Sequence, residues 1–221
     1  MPVEESGNML LMLGGLARLH NRTDLAKEYW PTLSKWASYL EAKGFDPENQ
    51  LSTDDFAGHL AHNANLSLKA ILAIAAGGDL AKRRGDEAEA TRLRTVVTGM
   101  VGKWDQAAKD GDSYRLAFDR AGTWSQKYNL VWDTLLDYKL FPETVRRREL
   151  ASYKTRQNAY GLPLDNRADY TKADWIVWTA TMTETPGDFR ALVDPIRTFL
   201  HETRAGASTP TPATLFSSEP L

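Results

Sequence analysis

The sequence has no cysteine among its 221 residues, and this absence excludes several kinds of chemistry. Disulfide bonds cannot form, and thiolates cannot hold a metal. A cysteine nucleophile is excluded as well. The motifs Ser-x-x-Lys and Gly-x-Ser-x-Gly, which would support a serine nucleophile, are also missing. The absence of cysteine does not fix the compartment.

An excess of charge of one sign is missing too. The chain has 27 Lys and Arg against 29 Asp and Glu, which gives a formal net charge of −2. This balance predicts neither nucleic acid nor an anionic membrane as a partner. No apolar run approaches the roughly 18–20 residues of a membrane span. Residues 9–13 are apolar, but acidic residues precede them, unlike the positively charged start of a signal peptide.

Length and composition predict one main domain. With 221 residues and 42% hydrophobic content, the chain can bury a sizeable core. Residues 206–221 are rich in Gly, Ala, Ser, Thr and Pro, so we expect a domain over 1–205 followed by a low-complexity tail. The seven tryptophans and eight tyrosines are many for a helical domain, and such residues fill cores or line pockets.

Hydrophobic periodicity predicts eight helices. Pro31 is expected to kink or restart the second helix, and Gly77-Gly78 to interrupt the third. The predicted segments are 9–20, 25–43, 66–76, 79–109, 129–138, 143–160, 175–182 and 186 to about 203.

These helices alternate in character, and the alternation predicts the architecture. The odd-numbered ones are short and apolar, and the even-numbered ones are long and amphipathic, which is typical of helical hairpins with an inner and an outer helix. The fold class is therefore all-α, a partial (α/α)6 toroid of about four hairpins. Four hairpins do not close a ring of six, and the abrupt start predicts further hairpins upstream.

The connections alternate as well, since those that lead into the apolar helices are long and polar. In an up-down array they emerge at one end, where the inner helices begin and their free N–H groups suit anionic ligands. We therefore expect a polar, aromatic-rich cup over the axis, rimmed by residues 2–8, 46–65, 112–129 and 161–174.

Six motifs resemble those of the glutaminase A family, a fungal and bacterial group, and they occur in the family's order. They cover about residues 2–203 and read Pro2-Val3-Glu4-Glu5-Ser6-Gly7-Asn8-Met9-Leu10, Ser52-Thr53-Asp54-Asp55-Phe56-Ala57-Gly58-His59, Asn63-Ala64-Asn65-Leu66-Ser67-Leu68-Lys69, Gly122-Thr123-Trp124-Ser125-Gln126-Lys127-Tyr128-Asn129, Tyr160-Gly161-Leu162-Pro163-Leu164-Asp165 and Tyr170-Thr171-Lys172-Ala173-Asp174-Trp175.

The resemblance implies a toroid related to six-hairpin glycosidases and an activity that converts L-glutamine to L-glutamate and ammonia. It also implies a longer parent protein, extracellular or periplasmic, with further domains upstream as partners of this one. Composition and spacing by themselves do not point to glutamine.

Without a cysteine or serine nucleophile, carboxylate-assisted attack of water is the expected chemistry. Two pairs of adjacent carboxylates are the candidates for catalysis, namely Asp54 with Asp55 and Glu4 with Glu5. Pairing across loops would raise one pKa and so provide an acid and a base. The structural alternatives are loop organisation by Asp54 and favourable charge at a helix start for Glu4 or Glu5.

Candidate substrate-binding residues come from three of the loops. Lys127 is a candidate for holding an α-carboxylate, and the others are Asn63, Asn65, Trp124, Tyr128 and Asp165. Helix capping is the alternative role for the two asparagines. His59 and His62 are three residues apart, but no His-Glu-x-x-His pattern or third ligand accompanies them. We therefore expect no metal and no cofactor, and a small molecule as the substrate.

Two other functional hypotheses remain open. An aromatic-lined cup with separated carboxylates suits a glycoside hydrolase or a glycan-binding toroid equally well. Alternatively, the chain is a fragment of a larger enzyme and is inactive by itself.

Overall fold

The structure is a computed structural model that describes residues 1–203, so the predicted tail at 206–221 lies outside the described part. Apart from one short hairpin, the regular secondary structure of the described chain is helical. Its helices are α1 (Pro2–His20), α2 (Asp24–Glu28), α3 (Trp30–Lys43), α4 (Ala64–Arg83), α5 (Glu87–Ala108), α6 (Val131–Leu135), α7 (Glu143–Lys154), α8 (Ala173–Ala180) and α9 (Pro186–Glu202). The hairpin pairs β1 (Lys109–Asp110) with β2 (Ser113–Tyr114) in antiparallel register. The all-α prediction is confirmed.

Helix α4 is the centre of the fold and packs against α1, α3 and α5. The prediction that Gly77-Gly78 interrupts it is wrong, because α4 continues to Arg83. A Cβ at Gly77 would lie 3.6 Å from the Cβ of Ala37 and 3.7 Å from Leu93. The two glycines therefore allow close packing between helices while the backbone stays helical.

Because α4 runs on through the glycines, it is longer than the sequence pattern indicated. Within the described residues it is the one helix whose length and hydropathy would allow a membrane crossing. However, 83% of its most apolar 18-residue window is buried. The central helix of a packed bundle has the same composition, since neighbouring helices cover it on all sides.

The predicted long helix over 79–109 is two helices in the structure. Helix α4 ends at Arg83, and Gly85 adopts a left-handed conformation with φ of 93°. Asp86 then caps α5 by accepting a hydrogen bond of 3.2 Å from the N–H of Glu89. Glycine takes this conformation at low cost, and Asp is a preferred N-cap. Before α3, by contrast, Pro31 restarts the helix, which confirms one of the two predicted outcomes.

The expected polar lead at residues 2–8 is also different, because α1 begins at Pro2. Proline is well suited to the first helical turn, where its missing N–H has no partner to lose. Val3, Glu4 and Gly7 lie on the buried side of α1, whereas Glu5 is exposed. Three of the four expected rim segments are thus loops, and the fourth is the first turn of a helix.

Helix α1 is less enclosed than predicted. Its Leu10 and Leu11 are buried, but Met12, Leu16 and Leu19 are 49%, 37% and 81% exposed. Among residues 1–203, α1 packs against α3 and α4. The apolar residues on its remaining side therefore face outward in the described structure.

Candidate active site

The loop between α3 and α4 carries Asp54 into the interior. The N–H of Asp54 donates a 3.2 Å hydrogen bond to the hydroxyl of Ser52, which is a side-chain-to-backbone contact typical of tight turns. A 3₁₀ turn over Asp55–Ala57 follows and ends at Gly58, whose φ is 82°. As a result Asp54 is only 8% exposed, whereas the side chain of its neighbour Asp55 is 61% exposed.

The two oxygens of the Asp54 carboxyl group differ in their hydrogen bonding. The hydroxyl of Tyr128 donates to Oδ2 at 3.0 Å. That hydroxyl is also 3.1 Å from Oγ1 of Thr53, and the Tyr128 ring stacks on Trp175 with centroids 4.2 Å apart. Oδ1 of Asp54 is buried and has no hydrogen-bond partner among the described residues. An oxygen of this kind has the capacity to accept from a bound water or a substrate group.

Burial raises the pKa of Asp54 to about 7. The hydrogen bond from Tyr128 acts in the opposite direction, and the charge of Glu4 raises the pKa further. Lys69 lowers it and Asp165 raises it, both by smaller amounts. A carboxyl group that titrates near neutral pH can take a proton and return it, as a general acid–base catalyst must.

Glu4 reaches the same region from α1 and is paired inside the protein. Its carboxylate receives the ammonium group of Lys69, which also donates to Oδ1 of Asn8 at 2.9 Å. The Lys69 and Glu4 side chains are 3% and 1% exposed. The buried pair joins α1 to α4 and places two opposite charges near Asp54. Glu5 points to solvent on the other side of α1 and does not join this group.

The sequence model of a protein family, the glutaminase A six helical-hairpin domain, matches residues 1–215. This chain belongs to that family. Glutaminase A of Aspergillus oryzae is 35% identical to it over 186 residues, which are 82% of this chain and 27% of that protein. The protein named probable glutaminase/05536 of Arthroderma benhamiae is 30% identical over 206 residues, which are 75% of this chain and 24% of that protein. The chain thus spans about a quarter of the length of these curated relatives.

Within this member of the family, residues 125–129 form a continuous run of buried polar side chains. Gln126 donates to the carbonyls of Leu162 and Pro163, both at 3.0 Å. Asn129 donates to the carbonyl of Asn65 at 3.0 Å. The run therefore ties α4 to the later loops and fixes Tyr128 between them.

Lys127 lies in this run but turns away from the solvent. Its ammonium donates to the carbonyls of Tyr114 and Ser125 at 3.1 and 3.0 Å, and to the Ser125 hydroxyl at 2.9 Å. Glu149 is 4.0 Å away, and both side chains are 1% exposed or less. Burial lowers the pKa of Lys127 to about 8. The structure therefore gives Lys127 a full set of protein partners instead of an open position for a substrate carboxylate.

The two asparagines at the start of α4 hold the backbone. Oδ1 of Asn63 accepts from the N–H groups of Asn65 and Leu66 at 3.0 and 3.1 Å, so Asn63 is the N-cap. Oδ1 of Asn65 accepts from the N–H of Asn129 at 3.3 Å. Asn63 thus has the capping role of the structural alternative, whereas Asn65 joins α4 to Asn129. Neither residue is hydrogen-bonded to Asp54 among the described residues.

Asp165 and Trp124 lie on the far side of the site. Arg167 binds Asp165 through a fork of 2.9 and 2.7 Å and also donates to the carbonyl of Ala57 at 3.1 Å. This contact links the 165–167 loop to the loop that carries Asp54. The backbone N–H of Trp124 donates to Oδ1 of Asn166 at 3.0 Å. The guanidinium of Arg156 lies 5.0 Å from the centroid of the Trp124 ring. Trp124 thus lines an open depression beside the Asp165 loop.

Lys172 contacts the loop that carries Asp54, with its side chain 18% exposed, and sequence reasoning did not single it out. Its ammonium donates to the carbonyl of Thr53 at 3.1 Å and is 3.6 Å from Oδ1 of Asp55. It lies 4.9 Å from the centroid of Phe56 and 5.9 Å from that of Trp175. Its motif, Tyr170-Thr171-Lys172-Ala173-Asp174-Trp175, was the available signal, but a motif does not show which side chain turns toward the site.

The histidines of the Asp54 loop do not converge. His59 is exposed, while Nδ1 of His62 lies 2.7 Å from Asp46. His62 also adopts a left-handed backbone conformation with φ of 60°. In the part of the chain that the structure describes, no three His, Asp or Glu residues are arranged to hold a metal ion. The hydrogen bond between His62 and Asp46 agrees with a structural role for that histidine.

Proposed function

We propose that this chain carries the centre of a glutaminase-like amidohydrolase that converts L-glutamine and water to L-glutamate and ammonia. The main support is the carboxyl group of Asp54, which is buried and has a pKa of about 7. Its Oδ1 has no hydrogen-bond partner among the described residues. Membership of the glutaminase A six helical-hairpin family supports the choice of an amide as the substrate.

In the proposed reaction the ionised Asp54 binds the attacking water through Oδ1. The carboxylate takes a proton from this water while the oxygen of the water bonds to the side-chain amide carbon of glutamine. The carboxyl then returns the proton to the amide nitrogen, and the carbon–nitrogen bond breaks with release of ammonia. One group with a pKa near neutrality suits both steps, since it must be a base first and an acid second.

Tyr128 and Glu4 support this cycle from opposite directions. The Tyr128 hydroxyl donates to the ionised form of Asp54 and stabilises it, whereas the negative charge of Glu4 favours the protonated form. Burial is the largest cause of the raised pKa, and these two residues act on it in opposite directions, so that the pKa of Asp54 is about 7. In this proposal Glu4 acts on Asp54 through its charge and remains paired with Lys69.

The proposal is tested by measuring ammonia release from L-glutamine by the purified chain and by its Asp54→Asn variant. We expect Asp54→Asn to lower kcat by at least about a hundredfold, which is the usual contribution of a general acid–base group. Asp24→Asn is the matched control, because Asp24 is exposed at the start of the short helix α2 and pairs with Arg22 just before that helix. Equal rates for the wild type and Asp54→Asn would contradict the proposal.

Two further results would favour the other hypotheses. Cleavage of p-nitrophenyl glycosides without ammonia release would favour a glycoside hydrolase. If the chain alone has neither activity, the same Asp54→Asn comparison in a full-length family member decides whether the site works only within a larger enzyme.

An extracellular or periplasmic location, and association with further domains of a longer protein, are also proposals that derive from the family resemblance. The relatives are about four times longer than the matched region. Fractionation of cells that express the full-length protein would test the location.

A further inference from the structure

Two opposite charges stand side by side where the Asp54 loop meets solvent. The Asp55 side chain is 61% exposed and that of Lys172 is 18% exposed, and their closest oxygen and nitrogen atoms are 3.6 Å apart. This separation exceeds that of a charge-assisted hydrogen bond. Oδ1 of Asp55 accepts from the N–H of Phe56 at 2.9 Å, so its capacity for a ligand lies mainly in Oδ2, while Lys172 keeps N–H donors.

The other cations around Asp54 do not have this freedom. Lys69 is bound by Glu4 and Asn8, and Arg167 is bound by Asp165 and a backbone carbonyl. Among residues 1–203, Lys172 has one hydrogen-bond acceptor, the carbonyl of Thr53. It is thus the cation of this region with donors left for a carboxylate.

The surroundings of Lys172 fix its position. Its ammonium lies over the faces of Phe56 and Trp175, and aromatic faces attract cations electrostatically. Phe56 is itself held edge-on by Tyr170, with centroids 5.2 Å apart. A cation held in this way loses little conformational freedom on binding a ligand, which favours affinity.

A single residue joins this charge pair to the Asp54 centre. The carbonyl of Thr53 accepts from Lys172 at 3.1 Å, and its hydroxyl lies 3.1 Å from the Tyr128 hydroxyl that binds Asp54. Asp54 and Asp55 then follow Thr53 directly in the chain. Asp55 of the outward pair and the inward carboxyl thus belong to one short segment, to which Lys172 is hydrogen-bonded.

We propose that Lys172 and Asp55 form a receptor for the α-carboxylate and α-ammonium groups of a free amino acid whose side chain enters toward Asp54. The inference rests on the proposed function and specifies its substrate class. Both backbone groups of the amino acid must be unblocked, so glutamine inside a peptide is excluded as a good substrate. Asp55 then has a binding role, distinct from the acid–base role of Asp54.

Blocked substrates separate the two contacts. N-acetyl-L-glutamine lacks the ammonium group, and L-glutamine α-methyl ester lacks the carboxylate. For the wild type we expect kcat/KM to fall roughly tenfold to a hundredfold with either block, which corresponds to one hydrogen bond to a charged group. The fall should lie mainly in KM, because these contacts are made in the ground state and the transition state alike.

The variants should then show a matched pattern. Lys172→Met should reduce kcat/KM for glutamine and N-acetylglutamine but leave the methyl ester unchanged. Asp55→Asn should reduce it for glutamine and the methyl ester but leave N-acetylglutamine unchanged. Lys172→Arg should retain most of the activity. Lys154→Met is the control, since Lys154 pairs with Asp188 on the outer helices and is 54% exposed.

Calorimetric binding of L-glutamate to the chain gives a readout that does not need turnover. The proposal expects Lys172→Met and Asp55→Asn each to weaken binding by a similar factor, with Lys154→Met unchanged. Ammonia release with equal rates on blocked and free glutamine would overturn the receptor and leave the proposed function standing. Glutamate binding that depends on Lys172 and Asp55 without ammonia release would support the receptor and contradict the amidase. Absence of both binding and turnover would overturn the receptor in this chain.

Discussion

The hydroxyl of Tyr128 donates a 3.0 Å hydrogen bond to the carboxyl of Asp54, a residue 74 positions earlier in the chain. Tyr128 is held by its stacking on Trp175 and by the buried run of residues 125–129. This contact stabilises the ionised form of Asp54 against the effect of burial. It thereby connects the loop that carries Asp54 to the buried run of residues 125–129.

Removal of this hydrogen bond should shift the titration of Asp54. In Tyr128→Phe the ring and its stacking remain, but the donor that lowers the pKa is lost, so we expect the pKa of Asp54 to rise above about 7. Carboxyl ¹³C NMR would measure this shift, and the acidic limb of the ammonia-release profile should move to higher pH with it. Tyr39→Phe on α3 is the control. A pKa that stays constant or falls would contradict the assigned contact.

The acid–base group should also reduce stability above neutral pH. The folded pKa of Asp54 is about 7 against an ordinary value of 3.8, so its protonated form favours folding. This contribution is fully present below about pH 4 and is lost as the pH rises through about 7. The difference between these two pKa values corresponds to at most about 4 kcal/mol.

Asp54→Asn should therefore gain stability over the wild type between pH 4 and pH 8, while it loses activity. Urea unfolding at the two pH values measures the change, and the difference between the two proteins removes the effects of all other groups. If the stability difference does not vary with pH, then burial does not disfavour the ionised form of Asp54.

The buried Lys127 and Glu149 should be strongly coupled. Lys127→Met leaves the Glu149 carboxyl without its cation, and we expect a loss of about 3–5 kcal/mol in the free energy of unfolding, as for other broken buried pairs. The double variant Lys127→Met, Glu149→Gln should cost less than the sum of the two single changes. Chemical denaturation provides the double-mutant cycle. Lys154→Met on the surface should cost less than about 1 kcal/mol, and strict additivity at the buried pair would argue against the coupling.

Two glycines on facing helices should respond in opposite ways to alanine. A Cβ at Gly14 would lie 3.1 Å from the Cβ of Ala76, whereas one at Gly77 would make ordinary contacts at 3.6 Å. We expect Gly14→Ala to cost about 1–3 kcal/mol by overpacking and Gly77→Ala to be neutral or to gain up to about 1 kcal/mol of helix propensity. Thermal unfolding followed by circular dichroism compares them. Equal melting temperatures would contradict the packing assigned to Gly14.

The alternation of apolar and amphipathic segments predicted the helices because the pattern reports which faces must be buried. It failed where one residue type has several uses. Gly77-Gly78 indicated a break, although small residues inside a helix also permit close packing. The first turn of α1 was expected to be a polar lead because it contains Glu4 and Glu5. The sequence does not show that Glu4 pairs with a buried lysine while Glu5 stays exposed.

The sequence alone determined the all-α class, the gathering of long polar loops at one end and the position of Asp54 in one of them, since these follow from periodicity and connection length. Only the tertiary structure decided which member of each polar pair turns inward. Asp54 is buried and Asp55 exposed because Ser52 and the 3₁₀ turn over Asp55–Ala57 orient the loop. Lys127 is enclosed and Lys172 stays partly exposed because their partners come from distant segments, and such contacts leave no periodic trace in the sequence.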